Sequence, residues 1–368
     1  MAIRKRYVGR IKVVDTPREI FVESVGLSKF ERKKRRSILD DLHELLFSTL
    51  EGVKLSLEDI DAFVVANSMG GIFGIPEFMR YVVPSVVGNH RTFFEVNCEE
   101  AGGLCAVVKA YELIKSGLAN RVCVLAANKV NIEDIDEIAN LIFMDILQFL
   151  QEFMKKHIEE GKLKQKDLHE IFLIAYEKAK KNPFVKAELP KKIDYLETLP
   201  KFNDGAGVAI ISSSEVAKSK QIKIIFADER TELVDIDQKD DEIKVVASLA
   251  KALCEKLKIS SLEDNISIFE VYDFNPLIGE VIAESLGLKG GYLADRGNKN
   301  GRTKESKIDF NPSGGVFFEN SPPVSAFSRF AHSFFSLKNR KGVKRALSLA
   351  ISLRTLSHAS LVVLEKLR

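Results

Sequence analysis

An apolar run, Phe93-Phe94-Glu95-Val96-Asn97, leads through Cys98-Glu99-Glu100-Ala101 into the pair Gly102-Gly103 and a helical stretch over 104–117. A further apolar run, 121–127, follows at once. Strand, glycine turn, helix and strand in this order predict a crossover between parallel strands, in a sheet covered on both faces. The alternation extends in both directions. An amphipathic helix is predicted over 37–50, with Leu39, Leu42, Leu45 and Leu46 on one face, and a strand over 60–66 after the helix-start signal Ser56-Leu57-Glu58-Asp59. After Asn203-Asp204-Gly205-Ala206-Gly207 a second series begins: strands over 208–212, 266–271 and 359–364, and helices over 243–256 and 276–286. Between the two series, about 130–200 is helix-rich and lysine-rich and reads as an inserted cap. Periodicity alone establishes an α/β protein.

Composition excludes several functions. The chain has 368 residues and 45% hydrophobic content, enough for a sizeable core. A net charge of +3 argues against nucleic acid as a main partner. The basic run Arg32-Lys33-Lys34-Arg35-Arg36 reads as a solvated helix start that could also meet a polyphosphate. The apolar stretch 141–150 is broken by Asp145 and Gln148 and is too short to span a membrane. The basic first residues lead into no apolar signal core, so a cytoplasmic protein is expected. The cysteines at 98, 105, 123 and 254 show no paired metal-ligand spacing, which argues against zinc; Cys123 and Cys254 sit in apolar runs as small hydrophobes.

The segment Val96-Asn97-Cys98-Glu99-Glu100-Ala101-Gly102-Gly103, with Ala110-Tyr111 and Ser116-Gly117 beyond it, resembles the nucleophile turn of thiolases. In one branch that turn reads V-E-A-A-C-A-S-G-G and then A-Y-x-x-I-K-S-G. Further blocks agree in order: Val25 to Phe30, Leu57 to Asn67, Asn182-Pro183, Asp204-Gly205-Ala206 and Asn311-Pro312-Ser313-Gly314-Gly315. They cover roughly Phe21 to the carboxy terminus and resemble the acetyl-CoA acetyltransferase and sterol-carrier-type branch. The resemblance implies a duplicated thiolase-like fold, two α-β-α-β-α halves in five layers with a helical cap. It divides the chain into an extension (1–20), a first half (21–129), the cap (130–200) and a second half (201–368).

The resemblance also identifies what has changed. Glu100 stands at the position of the nucleophilic cysteine. Glu270-Val271-Tyr272-Asp273 aligns with the family phrase E-V-H-D, which puts Tyr272 at one catalytic histidine. Asn320-Ser321-Pro322 aligns with G-H-P and puts Ser321 at the other. The glycine-rich loop near the carboxy end falls on Leu353-Arg354 and lacks glycine. Asn311, Gly314 and Gly315 are implied as substrate-binding positions. Loss of a nucleophile–base unit removes about four to six orders of magnitude in rate. The expectation is therefore a non-catalytic subunit that binds a coenzyme A thioester or serves as a scaffold, with no cofactor required.

Other readings stay open. Glu100 can fix the turn, tune a partner or hold an acyl-CoA, or act as a base or carboxylate nucleophile. Cys98 is a core thiol or an alternative nucleophile in an acyl-CoA acyltransferase or hydrolase of altered chemistry. Cys105 reads as packing, and His332 and His358 lie nearest in sequence to the altered loops. The partners the resemblance implies are a second copy of the chain, an active thiolase, and a small zinc-ribbon/OB-fold protein.

Overall fold

The computed structural model describes residues 18–31, 37–67, 84–88, 91–128, 151–152, 155–161, 164–189, 200–232, 243–294, 308–352 and 356–367. In the first half, β1 (Ile20–Leu27) is followed by α1 (Ile38–Glu51), β2 (Ala62–Asn67), β3 (Phe93–Asn97), α2 (Gly102–Lys115) and β4 (Arg121–Asn128). The helix α3 (Gln165–Ala179) precedes β5 (Gly205–Ser213), which pairs with β4 and β1 and so completes that half instead of opening the second, as the sequence reading had it. The second half runs β6 (Ile222–Thr231), α4 (Lys244–Leu257), β7 (Ile268–Val271), α5 (Pro276–Ser285), β8 (Asp309–Phe310), α6 (Val324–Asn339), β9 (Arg345–Ile351) and β10 (His358–Lys366).

The sheet order is β3-β2-β4-β5-β1-β6-β10-β9-β7-β8. Adding five to each strand of the first half gives the second half in mirror order. The pairing senses repeat as well. β2 lies parallel to β3 and β4, as β7 does to β8 and β9. β5 is antiparallel to β4 and β1, as β10 is to β9 and β6. The halves join through a short antiparallel contact that sets Ile20 opposite Ile224 and Phe21 opposite Lys223. The duplication that the resemblance implied is thus present in the topology.

Side chains alternate across each strand and feed two layers. On the outer face of the first half, Leu42, Leu46 and Leu50 of α1 pack on Phe63, Val65, Cys123, Leu125 and Ile210. Each such side chain contributes roughly 1.5–3 kcal/mol of burial. The alternate residues Val64, Val122, Val124 and Ile211 enter the larger core with α2 and α6. Those two helices touch each other and strands of both halves, while α4 packs on β6 and β10. Helix, sheet, central helix pair, sheet and helix make five layers.

Several sequence expectations shift on inspection. The first helix begins one residue later than predicted, because Ser37 is its cap and its hydroxyl accepts from the Asp40 amide at 3.1 Å. The Ser56 signal produces only the short 3-10 turn Leu57–Asp59. The strands β6, β8 and β9 and the helix α6 were not anticipated. Residues of α6 are buried nearly all round, so it shows no amphipathic stripe. By contrast, β6 alternates buried and partly exposed residues over 222–227, a legible period of two. Residues 1–17, 32–36, 141–150 and 353–354 lie outside the described residues. Among those described, no helix is long and apolar enough to cross a membrane.

Candidate functional site

Between β3 and α2 the chain turns sharply. Cys98 is followed by Glu99 at φ +48°, a left-handed conformation that costs a non-glycine residue about 1 kcal/mol or more. Glu99 is exposed, and its carboxylate accepts from the Ser352 hydroxyl. Glu100 is turned inward and is only 8% exposed. The short 3-10 turn Glu99–Ala101 then enters α2, and the two carboxylates sit where its macrodipole favours negative charge. Gly103 permits the crossing of α2 and α6. A Cβ there would lie 2.2 Å from the Pro323 carbonyl oxygen and 2.6 Å from the Phe327 nitrogen.

Tyr272 follows β7 directly and is wholly buried. Its hydroxyl has no hydrogen-bond partner among the described residues. Burial pushes its pKa well up, and the negative charge of Glu100 pushes it further. Glu100 and Tyr272 thus come from different halves and lie within electrostatic reach of each other. Ser321 is also wholly buried, and its hydroxyl too lacks a partner among the described residues. Its backbone nitrogen donates to Ser325 Oγ at 2.6 Å just before α6 begins.

Asn311, Gly314 and Gly315 are placed in the framework behind these positions. Asn311 Oδ1 accepts from the Val271 amide at 2.6 Å, and its Nδ2 donates to Asp273 Oδ2 and to the Tyr292 hydroxyl, each at 3.0 Å. Gly315 has φ +83°, and a Cβ there would meet Asp273 Oδ2 at 2.3 Å. Gly314, at φ +97°, lies so close to α3 that a Cβ would stand 2.4 Å from that of Ala179. Asp273 itself is buried, which raises its carboxyl pKa against hydrogen bonds from Tyr292 and Val316.

Deeper still, the resemblance motifs meet in a buried charge network. Arg329 on α6 is fully enclosed; its guanidinium donates to Glu270 Oε2 at 2.9 Å and Ser313 Oγ at 2.7 Å, and also to Glu319. Asn182 Nδ2 donates to the Ser313 carbonyl at 3.1 Å and to Glu319 Oε1 at 2.5 Å. His332 Nε2 reaches Glu319 Oε1 at 2.7 Å. Burial opposes ionisation of Glu319, but His332 and Arg329 outweigh it and hold the carboxyl at about 2. Glu270 is raised instead, because burial exceeds the pull of Arg329. Asn182-Pro183, Glu270 and Asn311 to Gly315 therefore belong to one framework.

A separate cluster forms on the other side of the turn. In the β6–β10 register His358 stands opposite Thr231 and Ser360 opposite Glu229, so all four share one sheet face. Onto that face α2 brings Cys105, whose Sγ lies 3.3 Å from His358 Nε2. His358 Nδ1 is 3.0 Å from Thr231 Oγ1. Cys98 completes the group; one donor atom from each of Cys98, Cys105, Glu229 and His358 lies within 4.8 Å of the others. Hydrogen bonding with Cys105 and with His358 lowers the Cys98 thiol to about 5 against the effect of burial. Cys105 moves the opposite way, raised by its bond with Cys98 and by burial.

Cys105 is buried in the core, as its packing role implied, and Cys98 packs half-buried against it. The two thiols also face an imidazole, a feature the sequence reading did not include. Spacing along the chain does not show this grouping, because the donors come from the turn, α2, β6 and β10. Glu229 and Thr231 were missed altogether with β6; its alternating pattern was the signal that could have found them.

No protein-family description matches the sequence, and no curated protein matches it. Solved structures do. An Ltp2-ChsH2(DUF35) aldolase superposes with TM-score 0.74 at 15% identity, covering 95% of this chain and 98% of that one. Human mitochondrial 3-ketoacyl-CoA thiolase in complex with CoA gives 0.69 at 16%, covering 95% and 98%. The Acat5 thiolase from Ascaris suum in complex with coenzyme A gives 0.65 at 14%, covering 95% and 100%. The chain has the thiolase fold over nearly its whole length.

Proposed function

We propose that this protein binds an acyl thioester of coenzyme A and does not carry out the covalent acyl transfer of a thiolase. The observation that carries the reading is the Tyr272 hydroxyl, enclosed and unpartnered among the described residues, within reach of the Glu100 charge. An unsatisfied buried hydroxyl costs about 1–3 kcal/mol, and a thioester carbonyl would supply the missing acceptor. Ser321 offers a second such hydroxyl. Hydroxyls in place of two imidazoles can donate to a carbonyl oxygen, but with glutamate in place of the thiol the set lacks the thiol–imidazole nucleophile–base unit. The CoA complexes among the fold neighbours support coenzyme A as the carrier.

The test pairs a thermal-shift titration with intact-protein mass spectrometry, using acetyl-CoA and acetoacetyl-CoA. Saturation at a hundredfold excess over Kd stabilises by about 2.7 kcal/mol. With about 2.1 cal/mol/K of unfolding entropy per residue, a rise in Tm of about 3–4 °C is expected. The mass should stay unchanged, and Tyr272→Phe should lose most of the shift. An acyl adduct, or an unmoved Tm in both proteins, would overturn the reading.

The Cys98 thiolate beside His358 favours a second reading, an acyl-CoA acyltransferase or hydrolase with Cys98 as nucleophile. An adduct on the Cys98 peptide would establish it. An adduct on Glu100 would mark the carboxylate as nucleophile instead. For partners, we place a second copy of the chain first, with an active thiolase and a zinc-ribbon/OB-fold protein as further candidates. The fold neighbour assembled as Ltp2-ChsH2(DUF35) supports association with a second, different chain. Co-purification from the native host checks this, and a homodimer recovered alone would remove the heteromeric partners.

A further inference from the structure

We propose that Cys98, Cys105, His358 and Glu229 form a zinc site that ties the two halves of the fold together. The inference is independent of thioester binding. All four donor atoms lie within 4.8 Å of one another. Tetrahedral zinc with bonds of about 2.3 Å to sulfur and 2.0–2.2 Å to nitrogen or oxygen sets its ligands roughly 3.3–3.8 Å apart. The Cys105 Sγ to His358 Nε2 separation, 3.3 Å, is already at that spacing. The remaining donors close up by about 1.5 Å at most, within reach of side-chain rotation.

The donor chemistry is selective. Two thiolates, one imidazole and one carboxylate suit zinc and are a poor match for magnesium or calcium, which take oxygen ligands. His358 is oriented for the task, because its Nδ1 is engaged by the Thr231 hydroxyl at 3.0 Å and its Nε2 faces the thiols. Burial is graded from Cys105, enclosed, through Cys98 and His358, half-buried, to Glu229, exposed. The ion therefore has a route in from solvent, and Glu229 is the ligand that can exchange. The two thiols enter as thiolates, so loading releases protons to solvent.

The ligands divide evenly between the halves. Cys98 and Cys105 flank the start of α2 in the first half, while Glu229 and His358 stand on β6 and β10 of the second. A bound ion would therefore join the central helix to the opposing sheet beside the Glu99 turn.

The experiment uses the full chain, stripped with EDTA under a phosphine reductant and titrated with zinc against a chromogenic chelator. One zinc per chain is expected, with Kd below about 1 μM. Cobalt(II) should give intense tetrahedral visible bands and sulfur-to-cobalt charge transfer. Cys105→Ser and His358→Ala should each weaken zinc binding at least tenfold, on the order seen when supporting groups of metal sites are removed. Glu229→Gln should weaken it less and keep the sulfur–cobalt band. Zinc should also protect Cys98 of the unmutated chain from alkylation, a readout that needs no variant to fold. A substoichiometric titration, a pale octahedral cobalt spectrum, or unprotected Cys98 would overturn the site.

Discussion

Replacing Arg329 by methionine removes the guanidinium that bridges two fully enclosed carboxylates, Glu270 and Glu319. Methionine nearly preserves length and bulk, so the loss is electrostatic rather than a cavity. Breaking a buried ion pair by deleting one partner costs about 3–5 kcal/mol, because the remaining charges stay buried and uncompensated. At about 2.1 cal/mol/K of unfolding entropy per residue, the whole chain carries roughly 0.77 kcal/mol/K, so Tm should fall by about 4–6 °C. The pH dependence has a definite sign. Glu319 is held at about 2 in the folded protein, below its ordinary 4.5, so its contribution is present above the unfolded value and lost as pH falls through about 2. In Arg329→Met its carboxyl rises and takes up a proton readily. The deficit should be largest near neutral pH and should shrink below about pH 5. Urea unfolding followed by far-ultraviolet circular dichroism at about pH 7 and pH 4.5 measures both numbers. A deficit under about 1 kcal/mol at neutral pH, or one that widens in acid, would refute the reasoning.

Three further outcomes are expected. Gly103→Ala should cost about 1–3 kcal/mol or prevent folding, since its Cβ would be driven into the Pro323 carbonyl and the Phe327 backbone; chemical denaturation checks it. Alkylation of Cys98 in metal-stripped protein should stay nearly constant from about pH 8 down to pH 6 and fall only toward about pH 5. An ordinary thiol near 8.5 would lose most of its rate over the same interval, and that result would exclude the depressed thiol. Leu118→Ser, at the most exposed large apolar side chain described, should change stability by less than about 0.5 kcal/mol, which a melting curve will show.

Two kinds of element were legible in the sequence: a helix with one side toward solvent, and short buried strands bounded by turn signals. The helix α1 announces itself by its leucine stripe, and β2 and β4 by short apolar runs between turn signals. The helix α6 was hidden because it lies between sheets, with Ser325, Ser328, Arg329 and His332 facing partners rather than water. Motif resemblance pointed to Glu100, Tyr272 and Ser321, but it could not show that Asn311 and Gly315 support Asp273 and Tyr292 while Gly314 packs on Ala179. The Cys98–Cys105–His358–Glu229 group is a product of tertiary register. No spacing along the chain encodes it, because two of its members are brought over by strands paired across the second half.

Ile224 on β6 faces Ile20 on one side and Leu364 on the other. The opening of the first strand and the close of the last thus flank the same point, two strand spacings or roughly 9–10 Å apart. A few residues would bridge that gap. A chain opened instead between Ser213 and Ile222, and closed there, would place the second half first and keep every strand beside its present neighbours. Which half comes first is a matter of chain connectivity, and the strand order does not depend on it.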